Sequence, residues 1–255
     1  MPVVLVEKQS AHTTVVTLNR PERRNSLTIE LMSELTNAIE EAASDDAQRI
    51  LILRGAGASF CTGLDLKEAA QLEHAHESAG FVAKTLLAIS QTRLITIAAV
   101  HGAAVAGGAG VMSACDFVIA AQGTKIGFPE ARRGLVAGLV MTFLRRNLRE
   151  RDIRELVLTA DLIDAERARE IGLVNRVVAP NELDDEVRKL CGSILQNAPG
   201  SLSHTKKLIE QMSPRPVKED IEVALGHHMQ ARESAEAQEG IAAFLEKRPP
   251  AWASA

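Results

Sequence analysis

The sequence is poor in aromatic residues and in cysteine. Of its 255 residues 3% are aromatic, with one tryptophan and no tyrosine. The cysteines, Cys61, Cys115 and Cys191, are widely spaced and form no C-x-x-C pair, which argues against a disulfide framework. We therefore expect a reducing compartment and predict a cytoplasmic protein.

The sequence also lacks a large excess of one charge and a long apolar run. The net charge is −4, and 29 basic residues are interspersed with 33 acidic ones. The first ten residues, MPVVLVEKQS, have no basic segment followed by a long apolar run, so no signal peptide is predicted. The longest apolar run, about 95–111, is glycine-rich and short for a membrane span. We expect neither nucleic acid nor a membrane as a partner.

Several catalytic signatures are absent. The glycine-containing segments fit neither G-x-G-x-x-G nor a Walker A loop, and no G-x-S-x-G elbow occurs. His74 and His76 have H-x-H spacing, but no carboxylate or cysteine pattern completes a metal site, so we interpret them as exposed. His227 and His228 are interpreted as helix-face residues, and His101 as the end of a strand.

Strand and helix patterns alternate along most of the chain. Buried strands are predicted at 49–55 and within LITIAAVHG and CDFVIA, and Thr28 is predicted to cap a helix that ends near residue 44. This order favours an α/β fold with a parallel sheet. From about residue 182 helix follows helix, with breaks at NAPGS and SPRP. We predict a core domain over 1–195 and a helical oligomerisation region over 196–255.

The most unusual stretch is AAVHGAAVAGGAGVMSACDFVIA, residues 98–120, with glycines at 107, 108 and 110. Alone, this cluster favours a tightly packed junction of strand and helix. A second glycine-containing turn, ASFCTGLDLKE, also follows a buried strand and precedes a helix. Two helix N-termini in one parallel sheet can bring two free N–H groups to one point, which is the geometry of an oxyanion hole.

Six segments together resemble the enoyl-CoA hydratase/isomerase (crotonase) superfamily, and they cover essentially the whole chain. In order they are TLNRPERRNSLT, ASFCTGLDLKE, the 98–120 stretch, KIGFPEARRGL, LTADLIDAERAREIGLVNRVV and EGIAAFLEKRPPAW. The resemblance implies a crotonase (ClpP/crotonase-like) ββα spiral core with a C-terminal helical trimerisation region. It also implies a homotrimer or dimer of trimers, an acyl-CoA thioester substrate and no separate cofactor, because CoA is part of the substrate.

The resemblance assigns catalytic roles to a few residues. The backbone N–H groups of Leu64 and Gly107 would form the oxyanion hole, and Glu130 in GFPE would be the acid/base. Gly110 stands where a G-G-G-x-E pattern would place a second glutamate, and we expect it to face the acyl chain. Without the resemblance, Glu130 is an ordinary carboxylate that starts a helix after Pro129.

A single acid favours a 1,3-proton shift of a 3-enoyl thioester, that is, an isomerase, with hydration a close second. An acyl-CoA-binding relative with lost or minor activity, or thioester hydrolysis, is the alternative. Asp65 and Glu68 are more typical of helix starts than of a second acid. Arg132 and Arg133 are typical of a solvated face, although one of them could pair with Glu130 and lower its pKa.

The CoA contacts implied by the resemblance lie at both ends of the chain. Arg23 and Arg24 would meet phosphates, unless they are simply solvated, and Lys67 would lie near the nucleotide. Phe244 and Lys247 would reach the adenine and phosphates from a neighbouring subunit, unless Phe244 serves packing alone. The acyl pocket would begin in the segment 69–80.

Overall fold

The computed structural model describes residues 1–69, 72–213 and 215–253. In this part of the chain the strands are β1 (Val4–Ser10), β2 (Thr13–Leu18), β3 (Ile50–Gly55), β4 (Ile95–Val100), β5 (Ala103–Val105), β6 (Phe117–Ala121), β7 (Lys125–Gly127), β8 (Ile163–Asp164) and β9 (Arg176–Val178). The helices are α1 (Ile29–Ser44), α2 (Leu66–Ala69), α3 (Leu72–Gln91), α4 (Gly107–Ser113), α5 (Gly138–Asn147), α6 (Glu150–Thr159), α7 (Ala165–Glu170), α8 (Leu183–Leu195), α9 (Pro199–Gln211), α10 (Val217–Arg232) and α11 (Ala235–Glu246).

The larger sheet has the strand order β1-β2-β3-β4-β6-β9. β1 pairs antiparallel with β2, and the other neighbouring strands pair parallel. The central strands β3 and β4 are nearly continuous apolar runs because both faces of this sheet are covered. The parallel sheet predicted from the sequence is therefore confirmed.

Alternate residues of β3 enter different cores. Leu51 and Leu53 pack in the cluster that also contains the buried faces of α1 and α3. Ile50 and Ile52 pack in a second cluster with apolar residues of α8. Since side chains alternate across a strand, the strand needs apolar residues at every position to fill both cores.

A second, smaller sheet has the strand order β5-β7-β8, and its strands are interleaved along the chain with strands of the larger sheet. The chain passes from β4 to β5, returns through β6, and crosses again to β7 and β8 before β9 rejoins the larger sheet. β5 and β7 are parallel, with Val105 opposite Gly127. Because parallel strands end at the same edge, the segments that follow β5 and β7 begin side by side.

The last three helices have different surroundings. α10 packs against α3 and α5, and α11 packs against the 3-10 turn Pro129–Arg133. α9 has no buried residue in the described chain. The division predicted at residue 195 coincides with the end of α8, and it remains a prediction.

Most local expectations match the structure within a few residues. The predicted cap is confirmed, since the Thr28 side chain accepts a hydrogen bond from the Leu31 N–H at 3.2 Å. The short strand β5 was not predicted, because three small residues among glycines carry no strand periodicity. A helix is predicted to follow the ASFCTGLDLKE turn, and the structure has α2 and α3 there.

Candidate active site

Two turns meet at the N-terminus of α4. A Cβ on Gly107 would lie 3.9 Å from the Leu64 nitrogen and 3.7 Å from the Gly63 Cα. Gly63 has a φ of +86°, and a Cβ there would lie 3.2 Å from the Gly107 nitrogen. The amides of Leu64 and Gly107 therefore flank one narrow space.

Both amides lie at positions that leave a donor available. Gly107 is the first residue of α4, and first-turn N–H groups have no intrahelical acceptor. The bridge between Leu27 and Leu64 uses the carbonyl of Gly63 and the N–H of Asp65, at 2.8 and 2.9 Å, rather than the N–H of Leu64. Two backbone donors are thus presented to the same region.

Within the glycine cluster, Gly108 is the residue that lets the start of α4 approach the turn that contains Cys61. A Cβ on Gly108 would lie 2.2 Å from the Cys61 carbonyl oxygen, which is part of the other turn. The residue before α4, Ala106, has φ 51° and ψ −125°, a conformation that is strained for any residue with a Cβ. The N–H of Ala106 donates to the Gly127 carbonyl at 2.8 Å, which ties the turn to β7.

Glu130 lies in the 3-10 turn that follows β7 and is 9% exposed. Its Oε2 is buried and has no hydrogen-bond partner among the described residues. Burial raises the pKa of this carboxyl to about 7, although the positive charge of Arg133 acts in the opposite direction. The pairing of β5 with β7 brings this carboxyl and the Gly107 amide to the same edge.

A cleft of about 910 Å³ joins these groups. Its lining includes seven residues predicted to act in catalysis or binding: Arg23, Arg24, Leu64, Lys67, Gly107, Glu130 and Phe244. Lys247 is not among the described lining residues; it caps the C-terminus of α11 with a φ of 56°, and Arg248 lines the cleft next to it. The predicted acyl segment 69–80 lies partly outside the described residues.

The expected position of Gly110 in the acyl pocket differs from the structure. Gly110 is outside the described lining of the cleft, and a Cβ there would meet Val140 Cγ1 at 2.5 Å and Leu86 Cδ2 at 3.8 Å. Val140, from α5, lines the cleft in its place. The sequence could not show this, since the contact joins two different helices.

The two arginines after Glu130 have separate roles. Arg132 is an exposed residue that pairs with Asp161. The Arg133 guanidinium stacks on the Phe244 ring at 4.4 Å and donates to the Pro129 carbonyl at 3.4 Å. Phe244 thus lines the cleft of its own chain, and the contact with a neighbouring subunit that the resemblance implies stays a prediction.

The candidate partner acids are engaged elsewhere. Asp65 accepts hydrogen bonds from Arg20 at 3.2 Å and Ser26 at 3.1 Å, and these partners lower its pKa against the effect of burial. Glu68 accepts from the Ile29 N–H at 3.1 Å, at the start of α1. Both carboxylates hold the loop before α1 against the turn that contains Leu64.

His228 is a lining residue that the sequence interpretation missed. It is 8% exposed, and its Nε2 is buried without a hydrogen-bond partner in the described chain. Burial, together with the charge of Arg232, lowers its pKa. The signal was present: Val217, Ile221 and His228 follow helical spacing, which places His228 on the buried face of α10.

The cysteines and the remaining histidines form no cluster with the groups named above among the described residues. All three cysteines are free and buried, and burial raises the pKa of Cys61 to about 12. His76 Nε2 lies 3.0 Å from Glu233 Oε1, while the side chain of His74 is outside the described part. Within the described ranges, no cluster of three or more His, Cys, Asp or Glu could hold a metal, and no helix has the length and apolarity to cross a membrane.

Comparison with known proteins gives a consistent result. The sequence model of the family described as Enoyl-CoA hydratase/isomerase matches residues 8–255. Crotonyl-CoA hydratase of Syntrophomonas wolfei is 34% identical over 253 residues, covering 96% of this chain and 95% of the relative. (E)-benzylidenesuccinyl-CoA hydratase of Thauera aromatica is 35% identical over 267 residues, covering 100% of both. The crystal structure of an enoyl-CoA hydratase from Mycobacterium avium superposes with a TM-score of 0.87 at 32% identity and 99% coverage of both chains.

Proposed function

Because this chain belongs to the enoyl-CoA hydratase/isomerase family and has its crotonase fold, we propose that it hydrates a 2-enoyl-CoA thioester, with Glu130 as the acid/base. The observation that carries the proposal is the buried, unpartnered Glu130 oxygen in the same cleft as the Leu64 and Gly107 amides. The substrate is an acyl-CoA, and no cofactor besides the CoA of the substrate is needed.

The two amides would stabilise the charge that develops on the thioester oxygen. Addition at C3 pushes electrons toward the thioester carbonyl, which becomes an enolate. Two backbone N–H groups that are fixed before the reaction stabilise that oxyanion, and the loss of one such donor costs about 100- to 1000-fold in rate. The side chain of Leu64 has no part in this role.

Glu130 would handle both protons of the addition. As a carboxylate it accepts a proton from water while the water oxygen bonds to C3 and the C2=C3 electrons move into the enolate. The protonated carboxyl then delivers a proton to C2, which completes the addition of water. A pKa of about 7 suits both steps, since a group that titrates near the working pH is both a usable base and a usable acid.

Isomerisation of a 3-enoyl-CoA is the second candidate. It is favoured by one observation: Glu22 and Asp65 also line the described cleft, but Glu130 is the buried lining carboxyl, and its Oε2 has no hydrogen-bond partner among the described residues. A single base could remove a proton from C2 and return it to C4. The relatives from Thauera aromatica and Syntrophomonas wolfei carry hydratase names, so the preference for isomerase drawn from the sequence receives no support from them.

The CoA moiety would lie along the basic rim. Arg23, Arg24 and Lys67 line the cleft on the side of the two turns, and Arg248 lines it on the side of α11. Their positive charges suit the phosphates of CoA.

The free, buried cysteines suit a reducing compartment, in line with a cytoplasmic location.

The chain would assemble as a homotrimer or a dimer of trimers. α9 buries no residue in the described chain, and Leu208 and Ile209 on it and Met212, its C-cap, are 53%, 67% and 76% exposed. These side chains are one position or one turn apart, so they form an apolar face. A helix that leaves such a face exposed within its own chain is typical of a contact with a partner.

Turnover by purified wild type and Glu130→Gln tests the proposal. With a trans-2-enoyl-CoA we expect wild type to add water and the variant to lose about 100- to 10,000-fold in kcat, while butyryl-CoA binding stays within about threefold. The exposed Glu219→Gln is the control and should keep wild-type kcat. Conversion of a 3-enoyl-CoA alone would favour the isomerase. Release of free CoA would indicate thioester hydrolysis, and binding without turnover an inactive relative.

A further inference from the structure

The buried imidazole of His228 forms part of the cleft wall, next to the segment that follows Glu130. His228 projects from α10 toward the start of α5, where Gly138 leaves room for it. A Cβ on Gly138 would lie 3.3 Å from the His228 Cβ and 2.8 Å from the Ala224 carbonyl oxygen. The lack of a side chain at 138 therefore lets α10 approach α5 closely enough for His228 to line the cleft.

The hydrogen bonding of the ring determines which nitrogen is available. His228 Nδ1 lies 3.5 Å from the Val136 carbonyl oxygen. A carbonyl oxygen only accepts, so the tautomer that satisfies this contact carries its proton on Nδ1 and leaves Nε2 as an acceptor. Burial and the neighbouring charge of Arg232 lower the pKa of His228, which keeps the ring neutral near pH 7.

The Nε2 acceptor is buried and has no hydrogen-bond partner in the described chain, although His228 lines the cleft. A buried acceptor without a partner is costly, and most such groups in folded proteins are satisfied by protein, water or ligand. Glu130 Oε2 is in the same state, and both residues line the same cleft. One short segment links the two residues. The Leu135 N–H donates to the main-chain carbonyl of Glu130 at 3.1 Å, and the carbonyl oxygen of the next residue, Val136, lies 3.5 Å from His228 Nδ1.

We propose that His228 determines specificity in the acyl pocket, with its Nε2 accepting a hydrogen bond from an O–H group at C3 of the acyl chain. That O–H belongs to the 3-hydroxyacyl product or to the water that becomes its hydroxyl. His228 then holds the oxygen, and the proton transfers remain with Glu130. This inference rests on the proposed acyl-CoA ligand, and it supplies a polar contact that Gly110 does not.

Equilibrium binding separates this role from packing. Butyryl-CoA and each enantiomer of 3-hydroxybutyryl-CoA are titrated calorimetrically into wild type, His228→Leu, His228→Gln and His227→Leu. We expect His228→Leu to weaken the binding of one hydroxyacyl enantiomer by about 3- to 10-fold, the worth of one hydrogen bond, and to leave butyryl-CoA within twofold. His228→Gln keeps an acceptor near Nε2 and should restore part of the loss. His227 is exposed on the same helix and serves as the matched control.

The outcomes distinguish this inference from the proposed function. If His228→Leu loses the same affinity for butyryl-CoA as for the 3-hydroxybutyryl-CoA enantiomers, or loses affinity for none of them, the proposed role of His228 is overturned. A hydroxyl preference that disappears in His228→Leu supports it even if wild type fails to hydrate a 2-enoyl-CoA, in which case hydration alone is rejected. If wild type binds no acyl-CoA, both proposals fail. Thermal unfolding of each variant verifies that the titrated protein is folded.

Discussion

At the scale of single residues, the burial that suits Glu130 to the proposed chemistry also costs stability. The pKa of a glutamate is ordinarily 4.5, and burial raises that of Glu130 to about 7. Between these two values the folded chain binds more protons than the unfolded chain. The free energy of unfolding therefore falls as the pH rises from about 4.5 to about 7, and the full cost remains above that range.

Glu130→Gln should consequently be more stable than wild type at alkaline pH. The amide has nearly the same shape and carries no charge, so the variant avoids ionisation in a buried position. We expect a gain of about 2–3 kcal/mol in the free energy of unfolding at pH 8 and little difference near pH 4.5. Urea denaturation of both proteins at the two pH values measures it. A gain that is the same at both would show that ionisation is not its cause.

The same pKa predicts the pH dependence of the reaction. If the carboxylate form of Glu130 is the base, kcat/KM rises with pH and levels off above about 7. Initial rates between pH 5 and 9 with one enoyl-CoA concentration well below KM give the profile. A flat profile through pH 7 would place the essential proton transfer on another group.

At the scale of elements, the site depends on how closely α4 approaches the turn that contains Cys61. Helix propensity alone predicts that replacing a helical glycine by alanine stabilises a protein by about 1 kcal/mol. At Gly108 the contact with the Cys61 carbonyl reverses this sign, because 2.2 Å is far too short for a Cβ and the opposing atom belongs to the backbone.

Gly108→Ala should therefore destabilise the protein by about 2 kcal/mol or more and lower the rate by displacing the α4 N-terminus. Gly80→Ala is the matched control, since Gly80 is exposed within α3 and a Cβ there meets nothing within 4 Å. That change should stabilise by up to about 1 kcal/mol. Chemical denaturation and kcat of both variants check the contrast, and a stabilised Gly108→Ala would contradict the geometry.

At the scale of the whole molecule, α9 packs Leu202 against the core beside α8 but leaves Leu208 and Ile209 exposed in the described chain. The buried cores lie between the larger sheet and α1, α3 and α8, and none of their buried residues belongs to α9. The apolar face formed by Leu208, Ile209 and Met212 is thus available for contact between copies of the chain.

Ile209→Glu should dissociate the proposed assembly. A charge in the middle of an apolar contact would be buried without a partner, which is strongly unfavourable. We expect wild type to sediment as a trimer or hexamer and the variant as a smaller species. Lys207→Glu places an acid on another side of α9 and should leave the mass unchanged. A monomeric wild type at micromolar concentration would reject the proposal.

The sequence alone determined the features that are local. Apolar runs in β3 and β4, the Thr28 cap and the order of motifs are encoded in neighbouring residues, because burial and capping depend on spacing along the chain. The strand and helix patterns were sufficient for the α/β class. The motifs in their order carried the resemblance to the family, and that resemblance assigned the Leu64 and Gly107 amides and the Glu130 carboxyl to the proposed chemistry.

Only the tertiary structure decided which groups share the cleft. The pairing of β5 with β7 brings Glu130 beside α4, the packing of α5 puts Val140 against Gly110, and the contact of α10 with α5 places His228 in the wall. Each of these joins segments that are far apart in sequence. Periodicity shows that a residue is buried but not what it is buried against, and for that reason His228 could be assigned to a helix face but not to a site.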